Sequence, residues 1–169
     1  MRVLRLSLLA LATGGAAQAV CAQDPGLLDA RVTQKSVAET ICRQGYADNV
    51  APPFDQTMAL KERMLAARGI DADDGVDYAL DRHVPIVLGG SPDATANFDL
   101  LPWSGHAGAR RRSLLTVRLK RCVCAGRMTL AQAQAAITGN WVHQYARLTR
   151  MDCGGSSDES TSASRDDGS

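Results

Sequence analysis

Three side chains of different chemistry stand together in the stretch Tyr78-Ala-Leu-Asp-Arg-His-Val-Pro-Ile-Val-Leu-Gly-Gly90, and Asn97 follows seven residues later. His83 is of the one type whose ordinary pKa lies near neutrality, so it is able to take a proton from water. Asp81 is able to hold a cation or to orient an imidazole. Arg82 stands between them. Its guanidinium stays protonated at any relevant pH and can neither accept a proton nor ligate a metal. The placement of these three groups decides between an enzyme and an enzyme-shaped protein without chemistry.

Other residues compete for a functional role. Arg110-Arg111-Arg112 is either a phosphate grip or the solvated start of a helix. A positive cluster at a helix N-terminus opposes the helix dipole, which puts the functional reading level with the other. His106, in Trp103-Ser-Gly-His-Ala-Gly, is a metal-ligand candidate or a surface loop histidine. His143, beside Trp141, reads as a surface or capping residue. Asp71-Ala-Asp-Asp-Gly-Val-Asp lacks the later glutamate of a calcium-binding EF-hand loop and reads as a solvated loop. Cys122-Val-Cys124 is too tight for a zinc knuckle, and no second ligand pair stands at metal spacing.

The elements that must position these groups read as an α+β chain. Residues 23–34 are a polar, mobile entry, and residues 36–44 carry Cys42. After Pro52-Pro53, Asp55 or Thr57 caps a helix that runs to Arg68, where Gly69 stops it. Met58, Leu60, Met64 and Leu65 recur at helical spacing and face a core. Residues 78–88 read as a strand, a proline turn and a second short strand, with a turn after Gly89-Gly90. Residues 97–101 return toward the core. A helix spans Ala109 to Cys124, broken by Gly126. Thr129 caps a last helix with Gln132 at the capping-box position, and Leu130, Ile137, Trp141, Tyr145 and Leu148 form its apolar stripe. Residues 151–169, mostly Ser, Gly, Thr and Asp, carry no apolar run and read as a disordered tail.

Residues 1–22 read as a secretory signal. Arg2 and Arg5 form its basic start, Leu6 to Thr13 its apolar segment, and cleavage is expected after Ala22 rather than Ala19. The apolar run is too short for an anchor, and Val20 is too large to precede a lipidated Cys21. The expected location is periplasmic or secreted. Loss of Arg2 and Arg5 takes the chain from 19 basic and 18 acidic residues to one net negative charge. That balance excludes a generic nucleic-acid binder. It is uneven, however: residues 109–127 hold seven basic residues and no acidic one, whereas five acidic residues and one basic follow Arg150. Four cysteines remain after cleavage, an even number that favours disulfides in an oxidising compartment.

Four pieces taken in order, ETICRQGY (residues 39–46), PPFDQTMALKERML, YALDRHVPIVLGGSPDATANFDLLPW and RLKRCVCAGRMTLAQAQAAITGNW, resemble a family of small exported bacterial proteins with an HNH-nuclease-like core. The resemblance covers residues 32–148. It implies a ββα-metal-like core, a short β-hairpin plus a helix, packed with additional helices over residues 35–150. In such sites a histidine at the end of the first strand is the general base, and the acidic residue before it, here Asp81, helps bind the metal or orients that histidine. The loop asparagine, here Asn97, holds the backbone of the turn. A divalent metal (Mg, Mn, Zn or Ni) stabilises charge developing on phosphate. Cys42 and Cys124 match the two family cysteines, and the resemblance implies that they pair. Cys122 is then a partner for Cys153 or a buried free thiol.

The chain departs from the family where the chemistry lies. Arg82 stands where the base belongs. Arg112-Ser113-Leu114-Leu115-Thr116 replaces the family's Lys-Asp-Arg-Leu-Glu, so both helix carboxylates are gone. Adjacent residues on a strand point to opposite faces, so His83 is aimed away from where Arg82 points, and a β-bulge near Asp81 is the expected requirement for His83 to replace the base. Two readings follow. One is a metal-dependent HNH-type endonuclease using Asp81, Asn97 and either His83 or His106, with Arg82 and Arg110 to Arg112 on the nucleic-acid backbone. The other is a catalytically inactive relative that binds a polyanion or another protein.

Overall fold

The computed structural model describes residues 25–147 together with Arg150 and Cys153. The proposed signal segment and most of the acidic tail lie outside the described residues. Among the described residues, five α-helices and one two-stranded antiparallel sheet make a mixed α and β fold. The helices are α1 (Tyr46–Val50), α2 (Phe54–Ala67), α3 (Ala109–Cys124), α4 (Leu130–Thr138) and α5 (Trp141–Ala146). The strands are β1 (Tyr78–Arg82) and β2 (Phe98–Pro102). Among the described residues no helix is long and apolar enough to cross a membrane.

The core forms where α3 and α4 meet the loop after β1. Leu115, Leu119 and Val123 recur every four residues on α3 and are buried against Leu130, Ala133 and Ile137 of α4. Val84 and Leu88 enter from the loop, and Val32 and Ile41 from the N-terminal segment. That segment, expected to be a mobile entry, is instead fastened. Leu28 bridges Gly90, the Asp29 N–H donates to Gly89 O at 3.0 Å, and Ser91 N–H donates to Leu27 O at 2.8 Å. Its polar composition hid the apolar contacts of Leu27, Leu28 and Val32.

Asp29 shows how a buried carboxylate is kept there. Arg31 Nε and Nη2 donate to it, and so does the Arg31 backbone N–H. The Arg31 hydrogen bonds hold the Asp29 carboxyl below the usual carboxylate range, against the opposing effect of burial. A lowered folded-state pKa means that the stabilisation is present above the unfolded pKa and fades as pH falls through the folded one. Because Arg31 is largely exposed, Asp29→Asn should cost only about 1 kcal/mol at neutral pH. Urea unfolding curves should show the gap between parent and variant closing below about pH 4.

Helix α2 ends at Gly69, whose φ of +66° suits glycine, and Ile70 N–H closes back on Leu65 O at 3.0 Å. Its start differs from expectation: Pro53 takes the cap position without a side-chain bond, and Thr57 donates to Phe54 O. The second strand also lies elsewhere than the pattern suggests. Ile86 to Leu88 form a 3-10 turn, and residues 98–102 pair with β1. A short apolar run is compatible with either state. Here Pro85 O accepts from both Leu88 N–H and Gly90 N–H, which closes the turn. Gly89 sits at φ +80°, and a Cβ on Gly90 would stand 1.7 Å from Val84 O.

The expected single C-terminal helix is two. Thr129 and Gln132 form the capping box of α4. Gly139 leaves helical geometry, and Asn140 caps α5 by accepting from His143 N–H at 3.1 Å. The apolar stripe runs through both helices and conceals the break; Leu148 lies outside the described residues.

Cys42 is bonded to Cys124, with a Cα–Cα distance of 5.5 Å, and Cys122 to Cys153, at 4.3 Å. The alternative of a free buried Cys122 is thereby removed. The pairs fit an oxidising compartment.

Candidate functional site

The hairpin register places Asp81 opposite Asp99 and Arg82 opposite Phe98. Asp81, Asp99, Ala79 and Leu101 share one face of the hairpin, and Leu80, Arg82, Phe98 and Leu100 the other. The first face opens on a cleft of about 350 Å³ between the hairpin, the start of α3 and the α4–α5 junction. Asp81, His83, Asp99, Arg112, Thr138 and Trp141 line it.

Two like charges directly opposite on a hairpin repel. Each is answered by an arginine from a different helix. Arg68, at the end of α2, pairs with Asp99 and also donates to Leu100 O at 3.2 Å. Arg112 pairs with Asp81: Nη1 donates to Oδ2 at 2.9 Å and to Arg82 O at 2.5 Å. Its Nη2 donates to His83 O at 2.7 Å and Ile137 O at 3.2 Å. The Arg112 residue is 5% exposed, and its guanidinium lies 5.9 Å from the Trp141 ring centroid. One planar cation thus ties β1, the loop after it, α4 and α5 to α3.

The arginine run is therefore not one surface. Arg110 and Arg111 are exposed, with Arg111 over the Tyr145 ring at 5.5 Å, while Arg112 is turned inward as an internal cross-link. Its partners were not legible from the sequence because all its acceptors come from distant segments. The local signals are its place at the start of a helix, where a surface cation is unfavourable, and its spacing three and seven residues before Leu115 and Leu119, which puts it on the buried face.

Arg82 also lines the cleft, but its guanidinium is engaged by other residues. That group stacks on Phe98 at 4.4 Å and donates to Pro92 O at 2.9 Å. Burial pulls its pKa below the usual arginine value, opposed by the charge of Asp81. The Asp81–Asp99 and Arg82–Phe98 pairs are consecutive in the ladder, without a bulge between them. His83 follows the strand, is exposed, and lines the same cleft as Asp81. His106 is exposed in the loop that enters α3 and is not among the cleft residues.

Asn97 is fully buried and acts on backbone alone. Its Oδ1 accepts from Val84 N–H at 2.8 Å, and its Nδ2 donates to Val84 O at 2.9 Å and Ser91 O at 2.8 Å. Its own carbonyl accepts from His83 N–H at 2.7 Å, which fixes the exit of the chain from β1. Asn97→Ala should cost about 2–4 kcal/mol, because three backbone groups lose their partner in a site closed to water. The measurement is the urea midpoint at unchanged m-value.

No family model matches this chain, and no curated protein or solved structure does either.

The donor set of the cleft is poor for a divalent metal. Among the described residues, no three His, Cys, Asp or Glu side chains are grouped to hold one. Asp81 and Asp99 are each engaged by a guanidinium. On α3, Ser113 is exposed and Thr116 donates to Arg112 O at 2.9 Å, so neither supplies an anionic ligand. The residues present do not fit the metal that an HNH-type site implies.

Proposed function

We propose that this chain carries a ββα-metal-like architecture without its chemistry and serves outside the cytoplasm as a binding protein for polyanions. The supporting arrangement is the chain order β1, β2, α3 with Asn97 pinning the turn, together with the sequence resemblance. One observation carries the inactive reading: the Arg112 guanidinium bonds Asp81 and the carbonyls of Arg82, His83 and Ile137. A fixed cation beside Asp81 supplies the charge that a metal would bring, but it holds no water and activates none. A second cation in that space would meet repulsion and compete for an engaged carboxylate. The exposed Arg110, Arg111 and Arg121 on α3 are the contacts proposed for the polyanion.

The competing reading is an active nuclease, favoured by His83 standing exposed on the Asp81 cleft. Refolded, oxidised protein should leave plasmid DNA intact with Mg, Mn, Zn or Ni. Arg82→His should be equally silent, because Arg68 and Arg112 still engage both cleft carboxylates. Metal-dependent cleavage lost in His83→Ala would overturn the inactive reading. Binding to a short DNA duplex should appear at low salt and weaken steeply as salt rises. Absence of binding at low salt would remove the polyanion.

A further inference from the structure

The outward side of α3 carries Arg110, Leu114, Val117 and Arg121, a spacing of four, three and four that makes one row. Leu114 is 55% exposed and Val117 59%. Arg111 is exposed on one flank and Lys120 is half-buried on the other, and α3 contains no acidic residue. This helix face has no partner among the described elements.

The occupant that fits it belongs to the same chain. Residues 154–169 carry Asp158, Glu159, Asp166 and Asp167 against one basic residue, Arg165. The Cys122–Cys153 disulfide anchors the start of this segment on α3 itself, beside Arg121, and Cys153 Sγ lies 3.5 Å from Arg118 O. Cys122 is itself buried, on the flank of α3 that it shares with Arg111, so the segment starts beside the outer row rather than on it.

Reach and charge agree. From Cys122 back to Arg110 is about 18 Å of helix. The 16 residues after Cys153 can reach about 50 Å at most, well beyond that distance. Tethering of this length gives a millimolar effective concentration, so an intrinsically weak contact is populated. The segment's largest apolar side chain is Ala163, so its attraction to α3 is electrostatic and screened by salt.

We infer that residues 154–169 dock along the basic outer face of α3 as an intramolecular polyanion mimic that covers Arg110, Arg111 and Arg121. The inference does not require the proposed external polyanion, since the ligand is covalently attached.

The test compares amide spectra of the full, oxidised chain with the quadruple variant Asp158→Asn, Glu159→Gln, Asp166→Asn and Asp167→Asn. This variant leaves α3 and both disulfides untouched. Expected are shift differences on the outer row of α3, above all at Arg110, Arg111, Leu114, Val117 and Arg121. They should vanish at about 1 M salt, where the screening length is about 3 Å, and should not change on dilution. Spectra identical over α3, differences placed elsewhere, or differences that salt does not remove would overturn the inference. Dependence on protein concentration would also overturn it, by making the contact one between copies.

Discussion

Arg112→Met should destabilise the protein by about 3–5 kcal/mol, the range for breaking a buried ion pair by removing one partner. The loss has two parts. Asp81 keeps its charge at the cleft, three-quarters buried, with no cation beside it. The carbonyls of Arg82, His83 and Ile137 also lose donors that belong to one rigid fork. Arg112→Lys should fall between parent and Met, because an ammonium keeps the charge but cannot reach four acceptors in that geometry. Adding Asp81→Asn to Arg112→Met should recover part of the loss, and urea unfolding of the four proteins would give the coupling. An Arg112→Met variant within about 1 kcal/mol of the parent would show that the guanidinium is not what ties β1 and α4 to α3. The same variant bears on function. If the cation substitutes for a metal, its removal frees the Asp81 carboxylate, yet Ser113 and Thr116 still supply no anionic ligand, so nuclease activity should not return.

Removing the Cys42–Cys124 bridge in a Cys42→Ala, Cys124→Ala double variant should cost about 4 kcal/mol. The bonded residues are separated by 82 positions, and closing so long a loop takes much entropy from the unfolded chain. It also joins the N-terminal segment to the far end of α3, so the contacts of Ile41 and Val32 with the core should loosen first. Thermal unfolding with and without reductant is the measurement. The double variant should unfold well below the parent, and reductant should lower it further only through Cys122–Cys153. Equal midpoints for parent and double variant would place the fold's stability in the apolar core alone.

Local physics was readable where it was strong. The apolar spacing of Leu115, Leu119 and Cys122 marks α3 between Ala109 and Cys124, and those are its ends in the structure. Thr129 with Gln132 makes a capping box from four adjacent residues, and Gly69 ends α2 through a conformation that glycine alone enters cheaply. The Cys42–Cys124 pairing followed from a resemblance and stands in the structure. Reading failed where two local solutions have similar energy. Ile86 to Leu88 is apolar enough for a strand, but Pro85 and Gly89-Gly90 wind it into a turn, leaving residues 98–102 to pair with β1. The stripe from Leu130 to Tyr145 keeps helical spacing across Gly139-Asn140, so the break shows only in the caps.

By itself, then, the amino-acid sequence determined the mixed α and β character, both ends of α3, the start of α4, and the residue types available at the candidate site. It also put an arginine between Asp81 and His83 and no carboxylate in α3. The tertiary structure alone decided what the charges do. No local rule names the partners of Arg112. This side chain becomes internal because Asp81 and three carbonyls, from segments about thirty residues away on either side, converge on one guanidinium. Desolvating a cation is costly, and only that convergence offsets it. Arg82 and His83 are neighbours in sequence and both line the cleft, yet the end of the ladder stacks the Arg82 guanidinium on Phe98 and leaves His83 exposed.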